Sequence, residues 1–128
     1  MLNVLLVDDT KSVHIFMKAL LAKSPGINIH SVYNGQQALE HIAQNPHFYN
    51  ACFLDWEMPV LNGVETLREM QKMGLGFPVV MMTTKNNPED IGLALSLGAA
   101  EYLMKPFTID ILFDKLETVT GSKLNYAV

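Results

Sequence analysis

Val4-Leu5-Leu6-Val7-Asp8-Asp9 is an unbroken apolar run that stops on two acids. Aliphatic residues with no polar position between them fit a strand covered on both faces, as in a parallel sheet. The pattern recurs downstream: Cys52-Phe53-Leu54 runs into Asp55, Val79-Val80-Met81-Met82 into Thr83, and Tyr102-Leu103-Met104 into Lys105. Each run thus delivers a reactive side chain at its carboxyl end. In an open α/β sheet that edge is where ligands bind. Carboxylates, a hydroxyl and an ammonium collected there would suit a divalent cation and a phosphoryl group.

Strand starts near positions 4, 27, 51, 79 and 102 lie 23, 24, 28 and 23 residues apart, the pitch of repeated strand–helix units. Ile27-Asn28-Ile29-His30-Ser31-Val32 alternates instead, which predicts an edge strand with one wetter face. Between strands the apolar period lengthens to that of a helix. Val13, Phe16, Met17, Leu20 and Leu21 form one stripe that stops at Ser24-Pro25-Gly26. Asn34 and Gln37 have capping-box spacing ahead of Ala38, Leu39, Ile42 and Ala43. A third helix is expected from Gly63 to Met73 through Val64, Leu67 and Met70. Asn87, Pro88 and Glu89-Asp90 mark the start of a fourth, with Gly98 as its stop. The fifth should bury Ile109, Leu112, Phe113 and Leu116. From Gly121 to Val128 no period remains, and the stretch reads as a tail. One α/β layered domain without repeats or linkers is the expectation.

The 128 residues, 49% hydrophobic, suffice for one domain that folds without staples. A net charge of −4 and a pI near 5.4 argue against a nucleic-acid footprint, which needs clustered Lys and Arg. The single cysteine, Cys52, lies in an apolar strand without a second thiol, so no disulfide framework is expected and it should pack as a small hydrophobe. Met1 to Val7 is too short for a signal segment, and no apolar run approaches the roughly 18 residues of a membrane span. A soluble, cytoplasmic protein with no membrane insertion is expected.

A hard divalent cation takes oxygen ligands, usually one or two carboxylates with waters and phosphate oxygens. Asp8, Asp9 and Asp55 offer such carboxylates. A carboxylate also serves as nucleophile toward phosphorus once the charge of the incoming group is offset. Asp55 is placed for that, with Thr83 and Lys105 on neighbouring strand ends. Any one Asp after a strand can simply cap the next helix. Caps alone do not account for a hydroxyl and an ammonium at the matching strand ends.

Taken together, Asp8-Asp9, Asp55-Trp56-Glu57-Met58-Pro59-Val60-Leu61-Asn62-Gly63, Thr83, and Gly98-Ala99-Ala100-Glu101-Tyr102-Leu103-Met104-Lys105-Pro106-Phe107 resemble the receiver domain of bacterial response regulators, over residues 2 to 120. The resemblance implies a flavodoxin-like (βα)5 doubly wound fold with a parallel sheet of order 2-1-3-4-5. It places the receiver at 1–121 and a tail at 122–128. It implies that Asp55 accepts a phosphoryl group from a phosphohistidine on a sensor histidine kinase or histidine phosphotransfer protein. Mg²⁺ or Mn²⁺ would be bound directly by Asp9 and Asp55, through water by Asp8, and through its backbone carbonyl by Glu57. Lys105 would pair with the phosphoryl oxygens and Thr83 would hydrogen-bond them. Lys105-Pro106 would be a cis peptide. Movement of Thr83 would make room for Tyr102, altering the face of the fourth helix, fifth strand and fifth helix toward a downstream protein. The implied chemistry is confined to the domain's own phosphorylation and dephosphorylation, so it is a signalling domain and not an enzyme on other substrates.

Several residues have plainer readings. A Tyr on a short strand is commonly a half-buried packing residue. Glu57 and Lys85 follow Asp55 and Thr83 at the same offset, which allows an ion pair over the site that would slow phosphoryl loss; two solvated charges are the preferred reading, since an exposed pair contributes only about 0–1 kcal/mol. Trp56 reads as packing at the rim. His14, His30, His41 and His47 lack metal-ligand spacing and are expected to be structural or exposed. The eight methionines are read as core filling. Among rivals, a carboxylate-nucleophile phosphatase wants Asp-x-Asp where this chain has Asp55-Trp56-Glu57, and a flavin carrier wants a Ser/Thr/Gly-rich loop where it has Asp8-Asp9-Thr10. A docking module that has lost phosphorylation would not need the full set of groups. A stand-alone receiver is expected; a fragment of a larger regulator, with a linker from near Gly121, is the alternative.

Overall fold

The apolar runs pair with one another as strands in a computed structural model that describes residues 1–127. In chain order the elements are β1 (Leu2–Val7), α1 (Lys11–Leu21), β2 (Ile27–Val32), α2 (Gly35–Gln44), β3 (Ala51–Asp55), α3 (Gly63–Lys72), β4 (Val79–Thr83), α4 (Pro88–Ser96), β5 (Glu101–Met104) and α5 (Ile109–Thr120). The strands are all parallel in the order β2-β1-β3-β4-β5, a flavodoxin-like sheet. Register follows from the runs: Val4 lies opposite Ala51, Cys52 opposite Val79 and Val80 opposite Glu101. Every residue of β3 and β4 is buried, as central strands with helices on both faces must be. The alternating β2 is an edge strand, paired only with β1.

Strand residues alternate between two apolar layers. Leu5, Val7, Leu54 and Met81 meet Ala38 and Ile42 of α2 and Leu67 and Met70 of α3. Val4, Leu6, Phe53 and Val80 meet Met17 and Leu21 of α1 and Leu112, Phe113 and Leu116 of α5. Each such side chain contributes about 1.5–3 kcal/mol by leaving water. With two filled layers, the polar groups at the strand ends are the positions left for chemistry.

Local signals set the helix starts. The Asn34 side chain accepts the Gln37 N–H at 2.8 Å, and that of Asn87 accepts the Asp90 N–H at 2.9 Å. At α3 a full capping box forms, with Asn62 accepting the Glu65 N–H at 2.9 Å and Glu65 accepting the Asn62 N–H at 3.0 Å. In α1 the buried face runs through His14, Met17 and Leu21. That rotation leaves Phe16, expected in the core, 46% exposed against Phe107 with ring centroids 5.8 Å apart. Ala43 is likewise exposed and Ile109 half-buried, because Ala38, Ile42 and Leu112 already fill the helix–sheet contact.

Gly121 ends α5 in the left-handed region, and residues 122–127 form no helix or strand. They nonetheless pack: Tyr126 stacks on Phe113 at 4.1 Å and donates to Asp110 Oδ1 at 2.7 Å, and the Leu124 N–H donates to Glu117 Oε2 at 2.6 Å. Val128, the last residue of the expected tail, lies outside the described residues. No helix among the described residues is long and apolar enough to cross a membrane.

Candidate functional site at the carboxyl edge of the sheet

Strand order brings the reactive ends together. β1 and β3 are neighbours, so Asp8 and Asp55 finish side by side; β4 adds Thr83 and the end of β5 adds Lys105. Hydrogen bonds beyond the strands extend the ladder and hold these ends, from the Trp56 N–H to the Met82 carbonyl at 2.9 Å and from the Lys105 N–H to the Thr83 carbonyl at 2.8 Å. Gly63 lets α3 close against them, since a Cβ there would lie 2.3 Å from the Asp55 carbonyl oxygen. The Lys105–Pro106 peptide bond is cis.

Asp8 and Asp55 are buried, whereas Asp9 is exposed. Carboxylate oxygens of all three lie within 4.8 Å of one another. This all-oxygen donor set fits a hard divalent cation and offers nothing to a soft one. Lys105 Nζ donates to Asp55 Oδ1 at 2.9 Å and to Asp8 Oδ2 at 3.0 Å. Burial pushes the Asp55 carboxyl up to about 6; the Lys105 hydrogen bond opposes this and the neighbouring Asp8 charge adds to it. For Lys105 burial works toward a lower value, but its bonds to Asp55 and Asp8 outweigh it and leave the ammonium raised. One cation shared by two buried carboxylates neither neutralises both nor loses its proton.

One of the histidines expected to be structural or exposed supports Asp8. His14 is buried, with Nε2 2.7 Å from the Asp8 carbonyl, Nδ1 2.9 Å from Ser31 Oγ, and its ring 4.3 Å from that of Tyr33. A carbonyl only accepts, so Nε2 carries the proton. The expectation of a structural role holds for this histidine; its signal was the spacing to Met17 and Leu21 on one helix face. His30 packs edge-on to Phe48 and Tyr49, while His41 and His47 are exposed. Cys52 is fully buried, and burial pushes its thiol up.

The Glu57–Lys85 ion pair that equal offsets allowed is absent among the described residues. Glu57 Oε1 instead accepts from the Thr83 hydroxyl at 2.9 Å, and that hydroxyl accepts the Lys85 N–H at 3.0 Å. With its backbone tied there, Lys85 turns its ammonium to Asp90 Oδ2 at 4.0 Å and over the Trp56 ring, 5.6 Å from the centroid. A nearer hydroxyl for Glu57 and an aromatic face for Lys85 replace the direct pair. Trp56 is buried, not at the rim. Tyr102 is 8% exposed, and its hydroxyl donates to the Lys85 carbonyl. The ring is therefore already inside before any modification of the site.

Beside the mouth, Val13, Phe16, Pro106 and Phe107 line an apolar cavity of about 190 Å³ that includes the Lys105 stem. On the other side of Lys105, a broader cleft of about 560 Å³ runs between Ile91, Tyr102, Met104, Ile111 and Lys115.

The family model described as "Response regulator receiver domain" matches residues 4–117. A chemotaxis protein CheY homolog of Campylobacter jejuni is 28% identical over 123 residues, covering 94% of this chain and 94% of its own. The transcriptional regulatory protein CpxR homolog of Haemophilus influenzae is 34% identical over 119 residues, which are 93% of this chain and 50% of that protein. Among solved structures, the Francisella response regulator 1452 receiver domain aligns with a TM-score of 0.86 at 30% identity, covering 94% of this chain and 98% of that one. Vibrio cholerae chemotaxis protein CheY4 aligns with a TM-score of 0.82 at 29% identity, covering 93% and 98%.

Proposed function

The chain belongs to the response regulator receiver domains, CheY-like in fold, and on that premise we propose that it is a phospho-accepting signalling switch in which Asp55 takes a phosphoryl group from a phosphohistidine. The observation that carries this reading is the buried Asp55 carboxylate held by Lys105 at 2.9 Å among the acids Asp8 and Asp9. A lone capping Asp has no use for a half-buried ammonium.

In the transfer, an Asp55 oxygen forms the new bond to phosphorus while the donor's N–P bond breaks and its electron pair stays on the imidazole nitrogen. Lys105 holds Oδ1 and thereby presents the other oxygen outward. As charge moves onto Asp55, the same ammonium follows the phosphoryl oxygens. Asp9 and Asp55, with Asp8 and the Glu57 backbone carbonyl beside them, would hold Mg²⁺ or Mn²⁺, which would supply the remaining charge neutralisation. Thr83 supplies a hydrogen bond to the product. Turnover is confined to the chain's own acceptor, so the role is signalling and not catalysis on a free substrate.

A donor has to approach over the mouth, where Phe16, Pro106 and Phe107 give an apolar landing beside the acceptor. That placement supports a sensor histidine kinase or histidine phosphotransfer protein as partner. Output is assigned to the α4–β5–α5 face, whose cleft includes both Tyr102 and the Lys105 stem. The acidic net charge favours a protein target over nucleic acid, and the cytoplasm is the compartment where such kinases deliver phosphate. The test is the intact mass after incubation with a small acyl phosphate. A single phosphoryl adduct should form with Mg²⁺ and fall to background in excess chelator; equal modification under both conditions would contradict the metal-dependent reading.

A further inference from the structure

The Thr83 hydroxyl has one proton, and in this structure it is already committed. Lys85 N–H donates into Oγ1 at 3.0 Å, so Oγ1 acts there as acceptor, and its own hydrogen goes to Glu57 Oε1 at 2.9 Å. A carboxylate and a phosphoryl oxygen are both acceptors, and one hydroxyl cannot satisfy both. We infer that Glu57 is a positioning residue that acts through Thr83, holding the hydroxyl away from the acceptor until a phosphoryl group on Asp55 takes the proton from it. The inference rests on Asp55 being that acceptor.

Two physical principles and two observations support a competition. The bond to an ionised carboxylate is stronger than one between neutral groups, so releasing it has a real cost. Glu57 is exposed and pairs with no cation among the described residues, Lys85 being engaged with Asp90 and Trp56. A phosphoryl group adds about −1.5 to −2 charges two residues away, which repels the Glu57 carboxylate as it attracts the hydroxyl. Tyr102 is already buried and bonded to the Lys85 carbonyl, so the ring does not have to move in first. The hydroxyl's choice of partner is then the step that separates the two states. Glu57 lowers the affinity of the activated state, and removing it should shift the chain toward that state.

The experiment is a coupling measurement with beryllofluoride at saturating Mg²⁺, read by the fluorescence of Trp56, the only tryptophan. The samples are wild type, Glu57→Ala, Glu57→Gln, Thr83→Ala, and the double variant Glu57→Ala with Thr83→Ala. Glu57→Ala should bind beryllofluoride about tenfold more tightly than wild type, the scale of one charge-assisted hydrogen bond. Glu57→Gln keeps an acceptor oxygen without the charge and should gain less. In the Thr83→Ala background the gain from Glu57→Ala should shrink to the smaller part due to charge repulsion alone. The same gain in both backgrounds would mean that Glu57 acts by charge alone, and no gain in either would mean that the bond is incidental; both overturn the inference while leaving Asp55 as acceptor. A wild type that shows no response to beryllofluoride would take down the acceptor reading, and this inference with it. The Thr83 methyl resonance of the metal-free protein gives a second readout: it should move in Glu57→Ala and stay near its wild-type position in Glu57→Gln.

Discussion

Asp55 governs how the free protein responds to pH. Its carboxyl is raised from an ordinary 3.8 to about 6 in the folded chain, chiefly by burial. Between those values the folded state binds more protons than the unfolded one, so stability is full below the lower value and is lost as pH rises through the upper. The loss over that window is on the order of 2–3 kcal/mol at about 1.4 kcal/mol per pH unit. Metal-free Asp55→Asn should therefore melt higher than wild type at pH 7.5, and the gap should be much narrower at pH 4.5. Thermal melts at both values check this, and a gap that ignores pH would contradict it. The identity of the site residues was legible in the sequence because each ended an apolar run, where side-chain type and position coincide. Glu57 and Lys85 were misread because equal offsets along two loops fix neighbourhood and not orientation. Competition from the Thr83 hydroxyl and the Trp56 face decided their partners.

The strands were the most readable elements. A run with no polar position can be covered only from both sides, and the alternation of Ile27 to Val32 marked the edge. Helix surfaces were less readable, since adjacent stripes on one helix compete and the sheet selects between them. In α1 the sheet took His14, Met17 and Leu21, and Phe16 went to the mouth. The segment after α5 was opaque for a different reason. Leu124 and Tyr126 are too few to show a period, yet both pack against the layer formed by α1 and α5. Tyr126→Ala removes the stack on Phe113 and the bond to Asp110, and should lower the stability of the fold. Chemical denaturation measures it; an unchanged midpoint would show that the segment contributes nothing to the fold.

Across the whole molecule, function follows from topology. The order β2-β1-β3-β4-β5 sets residues from positions 8, 55, 83 and 105 within reach of one another, although they are far apart in the chain. Two apolar layers fix the sheet, the sheet fixes its carboxyl edge, and that edge gathers three acids around one ammonium. The family match places this edge in a receiver domain, and the acidic cluster supports the role proposed for it. The central claim is that the carboxylate of Asp55 becomes the phosphoryl carrier. Borohydride reduces an aspartyl phosphate, and not a free carboxylate, to homoserine. Peptide mapping of the phosphorylated, reduced chain should therefore find homoserine at position 55. Homoserine at position 8 or 9, or aspartate retained at 55 in a chain that carries the phosphoryl mass, would contradict the account.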